Sequence, residues 1–154
     1  MTMLNVPTPE CSVLSAKPCK TAFRSLYKVT DEVLGEGLNG EVKLAVNRQT
    51  GKKVAVKSYS MSRMCRKAMD DLTQEVRTQS SLEHPNVARV EAVFQSESKV
   101  RLLVEHLSGG DVFKHIMEVG EFGEGHAASL VRQLLGAVEH MHAKGLVHRD
   151  IKLE

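Results

Sequence analysis

A chain of 154 residues with 42% apolar and 26% charged residues has the length and composition of an ordinary globular domain. Its net charge of +2 argues against a nucleic-acid partner or a basic membrane-surface patch, and no apolar run approaches the ~20 residues that cross a bilayer.

The first stretch, Met1 to about Arg24, holds three of the four prolines and scattered Ser and Thr, with no period of 2 or 3.6. It reads as a flexible leader. It lacks a signal peptide's charged start and long apolar core, and Thr2 stands where N-myristoylation needs glycine. Cys11, Cys19 and Cys65 form no CxxC or Cys/His cluster and read as free thiols of a reducing compartment. A cytoplasmic protein is the expectation.

From Tyr27 the chain changes to short alternating runs at Val29–Leu34, Glu41–Val46, Lys53–Ser58, Val87–Phe94 and Val100–Glu105. With turn chemistry between them, such as the segment from Asn47 to Gly51, they predict five strands in an antiparallel meander. A helix interrupts the series from Ser62 to about Glu83, where Met64, Ala68, Leu72 and Val76 recur every four residues, and His84-Pro85-Asn86 ends it. After the fifth strand, Ser108-Gly109-Gly110 leads into a short helix with Val112, Phe113 and Ile116. A longer helix from about Glu124 to His142 places Leu130, Val131, Leu134, Leu135, Val138 and Met141 on one face, with Gly145 as its C-terminal stop.

Gly35, Gly37 and Gly40 fall between two predicted strands. A hairpin there brings backbone N–H groups close to phosphate oxygens. The segment differs from a Walker loop, since no Gly-Lys-Ser/Thr follows, and a strand rather than a helix comes next. A glycine-rich hairpin without a ligand is the alternative. The run Val54-Ala55-Val56-Lys57 narrows the choice, because Ala55 and Lys57 point to one side of the strand and the valines to the other. A small Ala beside a Lys leaves room for a flat base and supplies a cation for its phosphates. A lysine withdrawn from water needs a carboxylate, and Glu75, beside Leu72 and Val76 on the following helix, is the candidate.

These motifs, with His84-Pro85-Asn86-Val87 and His148-Arg149-Asp150 in the same order, resemble the eukaryotic protein kinase family of the Ser/Thr type, from about Tyr27 to Glu154. The calcium/calmodulin-dependent or AMP-activated-like branch is compatible with the segment around Asp150. The resemblance implies an α+β fold: a five-stranded antiparallel small lobe with one main helix (25–105), a hinge (105–110) and the first helices of a large lobe (111–154). It implies ATP as cofactor, held by Leu34, Gly35, Gly37, Gly40, Val42, Ala55, Lys57 and Glu75. In the same scheme Val42 and Ala55 sandwich adenine, Val104 takes the gatekeeper position, Glu105 and Leu107 offer backbone hydrogen bonds, and Asp111 lies near the ribose. Asp150 resembles the catalytic base that orients a Ser or Thr hydroxyl of a protein substrate, and Lys152 the residue that neutralises γ-phosphate charge.

Several features depart from the family pattern. Leu38-Asn39 stands at the loop tip where many members carry an aromatic, and Thr78 and Gln79 follow Glu75 where large apolar side chains are usual. An unpaired Gln79 in the core would cost roughly 1 kcal/mol or more. The Mg²⁺-binding asparagine and the Asp-Phe-Gly segment are expected beyond residue 154. The chain is therefore expected to be incomplete and inactive alone, with a poorly covered long helix; a non-catalytic kinase-like module that still binds ATP is the alternative. Arg63, Arg66 and Lys67 read as a solvated basic face, and His140 and His142, two apart on a helix, do not share a face for a metal.

Overall fold

The computed structural model describes residues 23–37, 40–120 and 123–153. They form two compact units: the described residues up to Ser80 with Val90–His106, and Ser81–Arg89 with the chain from Leu107 onward. The rest of the predicted leader, the loop tip Leu38-Asn39, Cys11, Cys19 and Glu154 lie outside the described residues.

In the first unit a single turn of helix, α1 (Phe23–Leu26), leads into β1 (Tyr27–Gly37), β2 (Gly40–Asn47) and β3 (Lys53–Ser60). A 3₁₀ turn and α2 (Arg66–Ser80) follow, and β4 (Val90–Gln95) and β5 (Lys99–Glu105) complete the unit. The strands form one antiparallel sheet in the order β1-β2-β3-β5-β4. This corrects the meander expectation. The helix between β3 and β4 gives the chain reach to cross to the far edge, and the β4–β5 hairpin then returns β5 beside β3.

The alternation predicted for β3 is observed. Val54 and Val56 are buried with Phe23, Ala45, Phe94 and Leu103, whereas Tyr59 packs with Leu72 and Val76 of α2 and with Val93, Val100 and Leu102. Each sheet face thus has its own apolar cluster. Phe23, placed in the leader by sequence, is buried and stacks on Tyr27 at 5.6 Å between ring centroids. The Arg101 guanidinium covers the Phe23 ring at 4.8 Å, a cation–π contact.

The predicted turn at Asn47 forms: its Oδ1 accepts from the N–H groups of Gln49 and Thr50, and Gly51 takes a φ of 72°. The helix starts later and stops earlier than its periodicity suggests. Met64 is extended, and the last helical residue is Ser80, with a turn at Ser81. Gln79 is half-buried, while the buried residues of α2 are Leu72 and Val76.

The second unit contains α3 (Val112–Val119) and α4 (Glu124–Ala143). Gly145, with φ 72°, ends α4: its N–H donates to His142 O and the Leu146 N–H to Met141 O. That pair of bonds satisfies carbonyls the helix leaves open. The Ser81–Arg89 segment meets α4 through Asn86 Nδ2, which donates to Gln133 Oε1 at 3.0 Å, and through stacked His84 and His140 rings. Of the apolar face expected on α4, Met141 is buried, Leu130 and Val138 are half-buried, and Val131, Leu134 and Leu135 are exposed.

Candidate active site

The glycine hairpin is built as the sequence suggests. β1 and β2 pair from Tyr27↔Asn47 to Gly37↔Gly40, and Thr30 Oγ1 donates to Leu44 O where the register shifts. Gly40 has a φ of 106°, which only glycine adopts cheaply. Gly35 has no such backbone demand, and a Cβ there would meet no atom within 4 Å. Packing inside the chain therefore does not require glycine at 35.

Beside the hairpin, the ladder fixes which side chains share a face. Directly opposite residues of an antiparallel pair point the same way. Val42 is opposite Lys57, Leu44 opposite Ala55, and Ala55 opposite Val104. Val42, Ala55, Lys57 and Val104 thus form one patch on the face that α2 covers farther along β3. Glu105 is opposite Val54, so its side chain stands on the other face and any part it has in this patch falls to its backbone. Leu34 and Gly35 are exposed in β1; the surroundings of Gly37 are outside the described residues.

The predicted ion pair is present. Lys57 Nζ donates to Glu75 Oε1 at 3.5 Å, across eighteen residues of sequence. Burial works against the Lys57 ammonium, yet Tyr59 and Glu75 around it hold its pKa above the ordinary lysine value. A partly exposed pair of this kind stabilises a fold by ~0–1 kcal/mol. Stability alone is thus a weak reason for placing a lysine on a half-buried face.

Sequence reasoning missed one member of this cluster. Tyr59 donates through its hydroxyl to the same Glu75 Oε1 at 3.3 Å, and Lys57 Nζ lies 5.2 Å from its ring centroid. Its i+2 spacing from Lys57 is the signal that was available. Burial pushes the Tyr59 phenol up, away from ionisation.

The remaining predicted residues belong to the second unit. Asp111 is the N-cap of α3, with Oδ1 accepting from the Lys114 N–H at 2.7 Å. That bond, with the Lys114 ammonium nearby, holds its carboxyl below the usual carboxylate range. Capping is thus a structural use of Asp111 that the resemblance did not supply. A cavity of about 550 Å³ lies beside it, lined also by Gly110, His115, His126, Leu130 and Gln133. Leu107 is exposed. Residues 148–152 are exposed and outside any helix or strand. There the Asp150 N–H donates to His148 Nδ1 at 3.2 Å, and Arg149 has a φ of 67°, a left-handed turn that costs a side-chain-bearing residue about 1–2 kcal/mol.

Among the described residues no group of three or more His, Cys, Asp or Glu is arranged to hold a metal, and no helix is long and apolar enough to cross a membrane.

Residues 28–154 match the family described as protein kinase domain. Calcium-dependent protein kinase 12 of Arabidopsis thaliana is 38% identical over 125 residues, 80% of this chain and 26% of that protein. CBL-interacting protein kinase 9 of Oryza sativa subsp. japonica is 34% identical over 124 residues, 80% of this chain and 27% of that protein. Among solved structures, Rad53 1-466 in complex with AMP-PNP superimposes with a TM-score of 0.73 at 33% identity, covering 86% of this chain and 34% of the other. The chain spans roughly a quarter to a third of the length of these relatives.

Proposed function

The chain belongs to the protein kinase family, and its relatives include proteins named serine/threonine-protein kinases; on that premise we propose that it binds ATP on the Lys57 face of its sheet. The proposed reaction of the whole protein is transfer of the ATP γ-phosphate to a Ser or Thr hydroxyl of a protein substrate. The observation that carries the reading is the Lys57–Glu75 pair, 3.5 Å apart, on the face that also presents Val42, Ala55 and Val104. An ammonium held charged beside an apolar strip suits a ligand with a flat base at one end and anions at the other.

Each predicted residue has a part in this proposal. Gly35, Gly37 and Gly40 let backbone N–H groups approach the phosphates; Leu34, Val42 and Ala55 contact the base, with Val104 at its edge. Glu105 and Leu107 contribute backbone groups, and Asp111 contributes a carboxylate oxygen to the ribose. In transfer, the substrate hydroxyl oxygen bonds to the γ-phosphorus as the bond to the β,γ-bridging oxygen breaks and ADP leaves. Asp150 orients that hydroxyl and accepts its proton, and Lys152 offsets phosphate charge. Mg²⁺ would supply charge neutralisation in this chemistry, and no group of three or more His, Cys, Asp or Glu among the described residues is arranged to hold it.

We further propose that the 154 residues alone bind nucleotide without efficient transfer. What supports this is the exposed segment 148–152, where packing does not hold the base within the narrow tolerance that catalysis needs. A non-catalytic, nucleotide-binding kinase-like module is the same observation read as the protein's purpose. The exposed free thiol of Cys65 fits the cytoplasmic location proposed.

Calorimetric titration of the chain with ATP and Mg²⁺, beside Lys57→Met, tests the reading. The wild type should bind, and the variant should lose at least tenfold in affinity with its unfolding midpoint kept. Equal affinities would sink the assignment. Label transfer from γ-labelled ATP to a Ser/Thr peptide by the chain alone would overturn the claim that it does not turn over.

A further inference from the structure

Tyr59 lies two residues beyond Lys57 in β3, so both side chains leave the strand on the same face. Its ring is buried among Leu72, Val76, Val93, Val100 and Leu102, and a buried phenol needs a hydrogen-bond partner. It finds Glu75 Oε1 at 3.3 Å, the oxygen that also accepts from Lys57 Nζ at 3.5 Å. One carboxylate oxygen is therefore held by two donors from a single strand.

The two donors respond differently to a polyphosphate. An ammonium is mobile on a flexible stem and is drawn to incoming anions. The phenol is anchored by its ring in the core and has no attraction to leave. Without it, Glu75, whose side chain is 38% exposed, has a contact at the long end of hydrogen-bond range as its link to β3.

We propose that Tyr59 is a positioning residue of the Lys57–Glu75 pair: its hydroxyl fixes the Glu75 carboxylate against β3, so that Lys57 stays aimed while its ammonium engages phosphate. The geometry stands on the contact itself, and the consequence for ligand rests on the nucleotide reading above. Tyr59 acts through Glu75 and needs no contact with the nucleotide.

Tyr59→Phe keeps the ring in the core and removes the hydroxyl. The first readout needs no nucleotide: the pH midpoint for acylation of the Lys57 amine by acetic anhydride, followed by peptide mass spectrometry. Tyr59→Phe and Glu75→Gln should each lower that midpoint, and the double variant should fall no lower than Glu75→Gln alone, because one acts through the other. An unchanged midpoint in Tyr59→Phe overturns the proposal whether or not ATP binds. The second readout is calorimetric affinity for ATP and for adenosine. Tyr59→Phe should weaken ATP roughly three- to tenfold, the scale of one ordinary net hydrogen bond felt indirectly, and leave adenosine unchanged. Parallel loss of both would mean core damage and would overturn the positioning role. A wild type with no affinity for ATP removes the proposed function, and the acylation midpoints then decide the role of Tyr59 by themselves.

Discussion

Ala55 of β3 and Val104 of β5 are register partners, and a single methyl group faces a valine across the ladder, on the face that carries Lys57. The small side chain leaves open the space in which the base is proposed to lie. Ala55→Phe keeps a strand-compatible residue at a half-buried position while filling that space. Calorimetry should show ATP affinity down at least tenfold, and thermal unfolding should show a folded protein. Undiminished binding would place the base elsewhere.

Alkaline pH should weaken the first unit through Lys57 and Tyr59 together. Both have folded pKa values above their ordinary ones, 10.5 for the amine and 10.0 for the phenol. Between ordinary and folded values the folded chain holds protons that the unfolded chain has lost, so stability falls as pH rises. The contribution is fully present below pH 10 and declines above it. Urea midpoints measured at pH 8, 10 and 11 should fall over the last interval, and Tyr59→Phe should flatten the decline.

Leu103 and Leu135 are both leucines in regular structure, yet their truncation should differ widely. Leu103 is 0% exposed in the core of the sheet, whereas Leu135 on α4 is 60% exposed. Leu103→Ala should cost about 2–5 kcal/mol from lost burial and an unfilled cavity. Leu135→Ala should stay within about 0.5 kcal/mol. Chemical denaturation of both variants makes the comparison, and equal costs would mean that the face bearing Leu135 is covered in solution.

Gly145 closes α4 with a φ of 72°, and a Cβ there would meet no atom within 4 Å. Its cost on substitution is therefore conformational rather than steric. Gly145→Ala should destabilise the second unit by about 1 kcal/mol, and Gly145→Asn by less, since asparagine tolerates the left-handed region. Helix melting followed at 222 nm distinguishes the two; an equal loss for both would point to a contact instead of backbone strain.

The residues that carried most of the sequence reading are those whose neighbours are fixed by local periodicity. Lys57 and Ala55 share a face because a strand alternates, and Glu75 points inward because it sits beside Leu72 and Val76 on a helix. Both relations are present in the structure as the Lys57–Glu75 contact and the Ala55–Val104 register. Strand order was less accessible, because the sequence of five alternating runs does not say whether β3 pairs with β4 or β5, and the pairing with β5 depends on the path of α2. Tyr59 was overlooked for another reason. Its ring meets the demand of a core position, and nothing in a pattern of apolar residues shows where its hydroxyl ends. Asp111 likewise had two legitimate readings, ligand contact and helix cap, and only the 2.7 Å bond to the Lys114 N–H revealed the second.

The strand order also bears on how the first unit folds. β1, β2 and β3 are joined by short turns and can zip in sequence, but β3 meets β5 only after a loop of about forty residues closes, as in the pairing of Tyr59 with Val100. Closing that loop costs roughly 2 kcal/mol more entropy than closing a five-residue hairpin, and α2 shortens the gap if it forms first. Lys57 therefore gains its second flanking strand late, and the helix that carries its carboxylate partner is the element that makes the late step affordable. A variant that weakens α2 should slow refolding more than one that weakens the β1–β2 hairpin by the same equilibrium amount.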